Sequence, residues 1–293
     1  MTFRVGGDII KSFDIALYHN MKGRDSMKEK SVKKRKWPKV LLAIVLIIGA
    51  IAGFVAFNAS RNMKVMNRTI ESGMKTLSEY AEVTPVDAGD FEQIKMYGLM
   101  KFNVSQYDVK NVGNLSVMTV NMGFMQMVSF VITPYEKNIP LMSMDFMYIL
   151  GKRKAYAEFY DLVPDRTDGS YTDVLDALKE FEGRYSSLDD IVTDPAWYDD
   201  LMTVVLHKAG KRADDEKIEE MFCDAIRTSM EKANELDELS AEEKAEKLEL
   251  TQQYADNLIS KGGVSTDVFK KALGEDTTKK FFDKVFFGTE SRK

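Results

Sequence analysis

The sequence predicts an α+β domain, a central antiparallel sheet flanked by helices in an α/β/α sandwich, preceded by one transmembrane helix. Three observations carry that reading. One uncharged apolar run lies near the N-terminal end, five β-prone runs then follow one another with short breaks, and every segment beyond Asp173 has helical texture. Consecutive strands joined by short turns form an antiparallel meander, because parallel neighbours need long crossovers.

Taken in order, residues 1–39 form a basic N-terminal segment with eleven basic and four acidic groups. Such a run marks topology and contacts anionic headgroups. Residues 40–60 form the anchor: "VLLAIVLIIGAIAGFVAF", Val40 to Phe57, carries no charge, and about 20 apolar residues span a hydrocarbon core as a helix. A cleaved signal peptide has a shorter apolar core and a small-residue cleavage site; Ala59-Ser60 is the only such feature, so the segment reads as uncleaved. Residues 28–39 carry seven Lys/Arg against four in residues 61–75. The excess predicts a cytoplasmic N-terminus and an extracytoplasmic C-terminal domain.

Residues 61–80 read as a linker helix, with Met63, Met66, Ile70, Met74 and Leu77 at helical spacing, packed on the domain that fills residues 81–290. The strands are "LMKFNVSQYDV", "LSVMTVNM", "FMQMVSFVIT", "LMSMDFMYIL" and "KAYAEFYDLV", the last two joined by a turn at Gly151-Lys152. The helices are "TDVLDALKEFEGRY", "PAWYDDLMTVVLHKAG", "EKIEEMFCDAIRTSMEKANEL", "SAEEKAEKLELTQQYADNLISKGG" and "STDVFKKALGEDTTKKFFDKVFF". Ser240 with Glu243 makes a capping box, and Gly262-Gly263 closes the helix it opens.

Composition removes several function classes. Residues 40–293 hold 30 basic and 42 acidic groups, against the basic footprint of a nucleic-acid binder. A single Cys223 excludes an internal disulfide framework, and two histidines, His19 and His207, exclude a multi-histidine metal centre. No Walker loop, HExxH, GxSxG or helix-opening GxGxxG is present. Eighteen Met residues, nine of them clustered at 95–147, fill either an adaptable core or a soft pocket for a large apolar ligand.

One residue stands out. Asp145 lies in the middle of "LMSMDFMYIL", where strand interiors are depleted in Asp and an unpaired carboxylate is costly to bury. Period-2 alternation puts Leu141, Ser143, Asp145 and Met147 on one face of this strand. From these residues alone, Asp145 either accepts hydrogen bonds at a strand irregularity or serves chemistry.

Four stretches in order resemble the ferredoxin-dependent bilin reductases, across most of residues 75–288. They are "VSFVITPYEKNIPLMSMDF", "AYAEFYDLVPD" with its acidic-Leu-x-Pro step, "DPAWYDDLMTVVL" with its Pro-x-Trp, and "VFKKALGEDTTKKFFDKVFF" with its Ala-x-Gly break. The resemblance implies a linear tetrapyrrole such as biliverdin held between the sheet and the C-terminal helices. It implies no bound organic or metal cofactor, single electrons from reduced ferredoxin, and Asp145 as proton donor. Ser143 and Met147 then line the substrate, and the family's propionate-binding basic residue falls near His207-Lys208. Some family members pair the strand Asp with a His on the neighbouring strand, where this chain has Val128-Ser129, and others use a second Asp where it has Gly262-Gly263. The resemblance thus points to a membrane-bound oxidoreductase of bilins. The alternative, favoured by the outward topology and the acidic domain, is a non-catalytic exported ligand-binding or protein-interaction module on the same fold.

Overall fold

The computed structural model describes residues 37–98 and 100–292, so all but the last three residues of the basic N-terminal segment lie outside the described residues. The first described element, α1 (Trp37–Ser78), is a single helix of 42 residues, about 63 Å long at 1.5 Å per residue. Its first half, including Phe54 and Phe57, is exposed, while Asn58, Met66, Thr69 and Leu77 farther along are buried against the domain. Anchor and linker are therefore one continuous helix rather than two elements, and it is long and apolar enough to cross a membrane.

The nine strands β1 (Val83–Val86), β2 (Gln93–Met96), β3 (Met100–Val109), β4 (Gly113–Asn121), β5 (Met125–Pro134), β6 (Leu141–Ile149), β7 (Lys152–Tyr160), β8 (Asp189–Asp190) and β9 (Met202–Lys211) form one sheet. Its order is β1-β3-β4-β5-β6-β7-β9-β8, with β2 also paired to β3 and every pair antiparallel. β3 to β7 are the five runs that the sequence shows as strands.

Both faces of the sheet are covered, and alternation assigns the residues. One face presents Phe130, Met144, Phe146, Ala157, Phe159 and Leu206 to α1, α2 (Gly169–Arg184) and α3 (Asp215–Glu235). Here Phe222 of α3 meets Phe130 and Phe146 edge-on, with ring centroids 4.9 and 5.2 Å away. Gly73 lets α1 approach: a Cβ built there would lie 2.1 Å from the Phe222 ring. The other face presents Met118, Met127, Met147, Tyr156 and Tyr160 to α4 (Ala241–Lys261), α5 (Val264–Leu273), α6 (Glu275–Phe281) and the π-helical turn Phe282–Phe286.

Local chemistry sets the boundaries of this second helical layer. The Ser240 hydroxyl accepts from the Glu243 N–H at 3.3 Å while the Glu243 carboxylate accepts from the Ser240 N–H at 2.8 Å, closing the capping box of α4. Gly262 and Gly274 take positive φ of 81° and 83° at the two helix breaks, a region that glycine enters without steric penalty. Lys247 of α4 is fully buried and donates to the carbonyls of Ile139 at 2.8 Å and Leu162 at 3.0 Å, tying the helix to two loops.

One expected helix is a strand. "PAWYDDLMTVVLHKAG" forms a loop, a 3-10 turn at Asp199–Leu201 and β9. The Thr-Val-Val run favours a pleated backbone, and alternate residues Val204, Leu206 and Lys208 are buried in register with β7. Trp197, in the preceding loop, donates its indole N–H to the Gly262 carbonyl at 2.9 Å and so fastens that loop to the end of α4.

Candidate functional site

Strand pairing gathers the polar residues of the helix-covered second face into two rows. In the first, Ser129 of β5 pairs with Asp145 of β6, Asp145 with Tyr156 of β7, and Tyr156 with His207 of β9. In the second, Ser143 of β6 pairs with Glu158 of β7. Paired residues of an antiparallel sheet share a face, so an acid, two serines, a tyrosine, a histidine and a second acid line a patch four strands wide. Ser129, Ser143, Asp145 and Glu158 are all buried.

The two acids have opposite surroundings. Around Asp145, among the described residues, the hydrogen-bond partners are hydroxyls: that of Ser143 donates to Oδ2 at 3.4 Å, and Ser129 supplies a second. Its Oδ1 is buried with no hydrogen-bond partner among the described residues. Burial penalises the charged form and pushes this carboxyl up to about 6. Glu158 instead accepts from His207 Nε2 at 2.8 Å and from the Tyr160 hydroxyl at 2.6 Å. Burial alone would raise its carboxyl, but the His207 hydrogen bond leads the opposing contributions and holds it below its ordinary value. An ionised Glu158 can only accept, which puts a proton on His207 Nε2.

Tyr160, the last residue of β7, meets Tyr254 of α4, which closes the patch from the helical layer; their ring centroids are 4.9 Å apart, and burial raises both hydroxyls well above their ordinary range. The arrangement thus holds one carboxyl that keeps its proton up to about pH 6 and one that gives it up more readily than an ordinary carboxyl. Adjacent acids pushed apart in this way are how a site divides acid and base roles.

Of the residues expected at a site, Asp145, Ser143, Met147 and His207 share this face. Met147 lies one pleat beyond Asp145, toward the end of β6, and is buried. Lys208 does not belong with them. Alternation turns it to the opposite face beside Val204 and Leu206, where its ammonium pairs with Asp190 at 2.5 Å. Ser129, Tyr156, Glu158, Tyr160 and Tyr254 are the members that sequence reasoning missed. Glu158 carries the same signal that singles out Asp145, an acid inside a β-prone run ("AYAEFY"), and alternation from the strand start would have found it.

No protein-family model matches the chain, and no curated protein matches it. A solved structure does: phytochromobilin synthase from tomato in complex with biliverdin, with a TM-score of 0.64 and 13% identity, covering 77% of this chain and 83% of that one. At this identity the likeness shows a shared fold. The antiparallel sheet between helical layers is the architecture that the sequence resemblance implies.

Proposed function

We propose that the chain is a membrane-anchored protein that holds a linear tetrapyrrole of the biliverdin type against the Ser129–Asp145–Tyr156–His207 row and reduces it. The observation that carries the reading is Asp145: a buried strand carboxyl, raised to about 6 by desolvation, with one oxygen that has no hydrogen-bond partner among the described residues, on the face covered by the C-terminal helices. A solved protein of the same fold binds biliverdin. Such an oxygen suits a pyrrole N–H or a lactam, and a carboxyl whose pKa is raised toward neutrality suits proton donation.

Reducing one double bond consumes two electrons and two protons. The electrons arrive singly from a ferredoxin-type iron–sulfur donor, and the chain supplies position and protons. Asp145 gives one proton. The second proton comes from solvent, and His207, whose Nε2–H is donated to the Glu158 carboxylate, is the group on that face placed to relay it. In this reading α1 is the anchor, the N-terminus is cytoplasmic and the domain lies on the other side, so the iron–sulfur donor has to act on that side of the membrane.

The test is an absorbance titration of the purified full chain, in detergent, with biliverdin, followed by addition of a reduced ferredoxin. A saturable red shift that then bleaches or moves under reduction is the expected result. A shift without reduction would convert the reading to a carrier or sensor, and no shift at all would remove it.

A further inference from the structure

One end of the sheet collects the turns after β2 (Tyr97-Gly98), β4 (Met122 to Phe124) and β6 (Leu150-Gly151), together with the end of β9 at Lys211. Helix α1 passes this end, held by side-chain hydrogen bonds. Asn62 Nδ2 donates to Gln126 Oε1 at 2.9 Å and to the Leu150 carbonyl at 3.2 Å, Arg212 donates to Asn58 Oδ1, and Gln126 Nε2 donates to the Gly123 carbonyl at 2.7 Å. The helix is unbroken through this region. Its direction and the direction of the domain are therefore fixed together, and the depth of one sets the depth of the other.

That depth can be read from contacts. The apolar run of α1 ends at Phe57, yet a Cβ built on Gly123 would lie 3.8 Å from Val55 Cγ1, two residues inside the run. The β4–β5 hairpin tip is thus level with the last apolar turn of the helix. Its next residue, Phe124, is 45% exposed, and Tyr97 in the neighbouring turn is 58% exposed. Arg61, Lys152 and Lys211 are exposed at the same end. Two acids there are occupied internally: Asp214 accepts from the Lys211 N–H at 2.7 Å, and Asp215 holds Arg153 at 2.5 Å. The exposed cations at this end, with Asp189 an exposed acid lining the same cavity as Lys152 and Lys211, contrast with the acidic balance of residues 40–293.

We propose that this end of the sheet is a membrane-seating surface, in which the Met122–Phe124 tip and Tyr97 enter the boundary between headgroups and acyl chains while Arg61, Lys152 and Lys211 face lipid phosphates. The partner is a phospholipid bilayer, continuous with the one that α1 crosses, and the proposal rests on the reading of α1 as the anchor. Aromatic side chains at headgroup level and basic side chains beside anionic lipid are what such a boundary favours. The domain is then seated on the bilayer rather than swinging on a tether.

The test uses the full chain with Cys223→Ser and single cysteines in place of Phe57, Tyr97, Phe124 or Lys110, each carrying an environment-sensitive fluorophore. Lys110 sits in the β3–β4 turn at the far end of the sheet. The proteins are placed in liposomes of phosphatidylcholine and phosphatidylglycerol with nitroxide quenchers high on the acyl chain. Expected are quenching at 57, 97 and 124 and none at 110. Quenching at 57 alone would overturn the seating surface and leave the anchor standing. Equal quenching at 110 and 124 would overturn it too, as non-specific adsorption, and no quenching at 57 would overturn anchor and surface together.

Discussion

Asp145→Asn keeps the shape of the side chain and removes its charge, and its consequences for stability follow from the burial of the group. The carboxyl is raised from 3.8 to about 6. Two pKa units at about 1.4 kcal/mol each give roughly 3 kcal/mol that the ionised form costs the folded state. The folded state holds the proton more tightly than the unfolded chain. The wild type is therefore most favoured by this group below about pH 4, loses stability between about pH 4 and 6, and carries the whole cost above. Asparagine carries none of it, and Ser129 and Ser143 can rotate their hydroxyls to accept from its amide. The variant should be more stable than wild type by about 1–3 kcal/mol at pH 8, after the cost of any amide hydrogen bond left unmade, and no more stable near pH 4. Urea unfolding of the full chain in detergent at the two pH values, followed by circular dichroism, measures the difference. A variant equally destabilised at both pH values would refute the argument, because it would mean that the carboxylate is a stabilised acceptor rather than a strained acid. The same variant should lose tetrapyrrole reduction by about 10²–10⁴-fold while still binding the pigment, the range expected when a positioned acid is removed. More stable and inactive is the combined signature.

Other outcomes follow from neighbouring features. Gly73→Ala forces a methyl into the Phe222 ring, which is itself wedged between Phe130 and Phe146; it should destabilise by about 1–3 kcal/mol in thermal melts, where Gly49→Ala, with nothing nearby, should not. Lys247 has its ammonium pushed down to about 7 by burial, so the unfolded chain binds the extra proton between about pH 7 and 10 and wild-type stability rises with pH there, by at most about 1.4 kcal/mol per pH unit. Lys247→Met should flatten that slope in denaturant titrations across the window. Glu158→Gln frees His207 from its ionised partner and should slow reduction by about tenfold or more with a changed pH–rate profile, while biliverdin affinity measured by absorbance stays within a few fold.

Much of the molecule is determined by the sequence alone. Period-2 runs from Met100 to Tyr160 specify five strands, and short breaks between them specify antiparallel neighbours, because both signals are local. The Ser240–Glu243 capping box and the glycines at 262 and 274 specify helix ends for the same reason. Alternation places Ser143, Asp145 and Met147 on one face before any coordinate exists. Tertiary structure decided the rest. Residues 195–211 carry helical and β-type signals at once, and pairing with β7 settled them as a strand, which turned Lys208 away from His207 and onto Asp190. That Glu158 holds His207, and that the Ser129 and Ser143 hydroxyls attend Asp145, depends on register across four strands, a relation between residues far apart in the chain. Burial raises an acid only when a distant layer covers it, and here α4 to α6, more than 95 residues later in the chain, supply the cover. The residue types were legible in the sequence; the charge states depend on which neighbours folding brings to them.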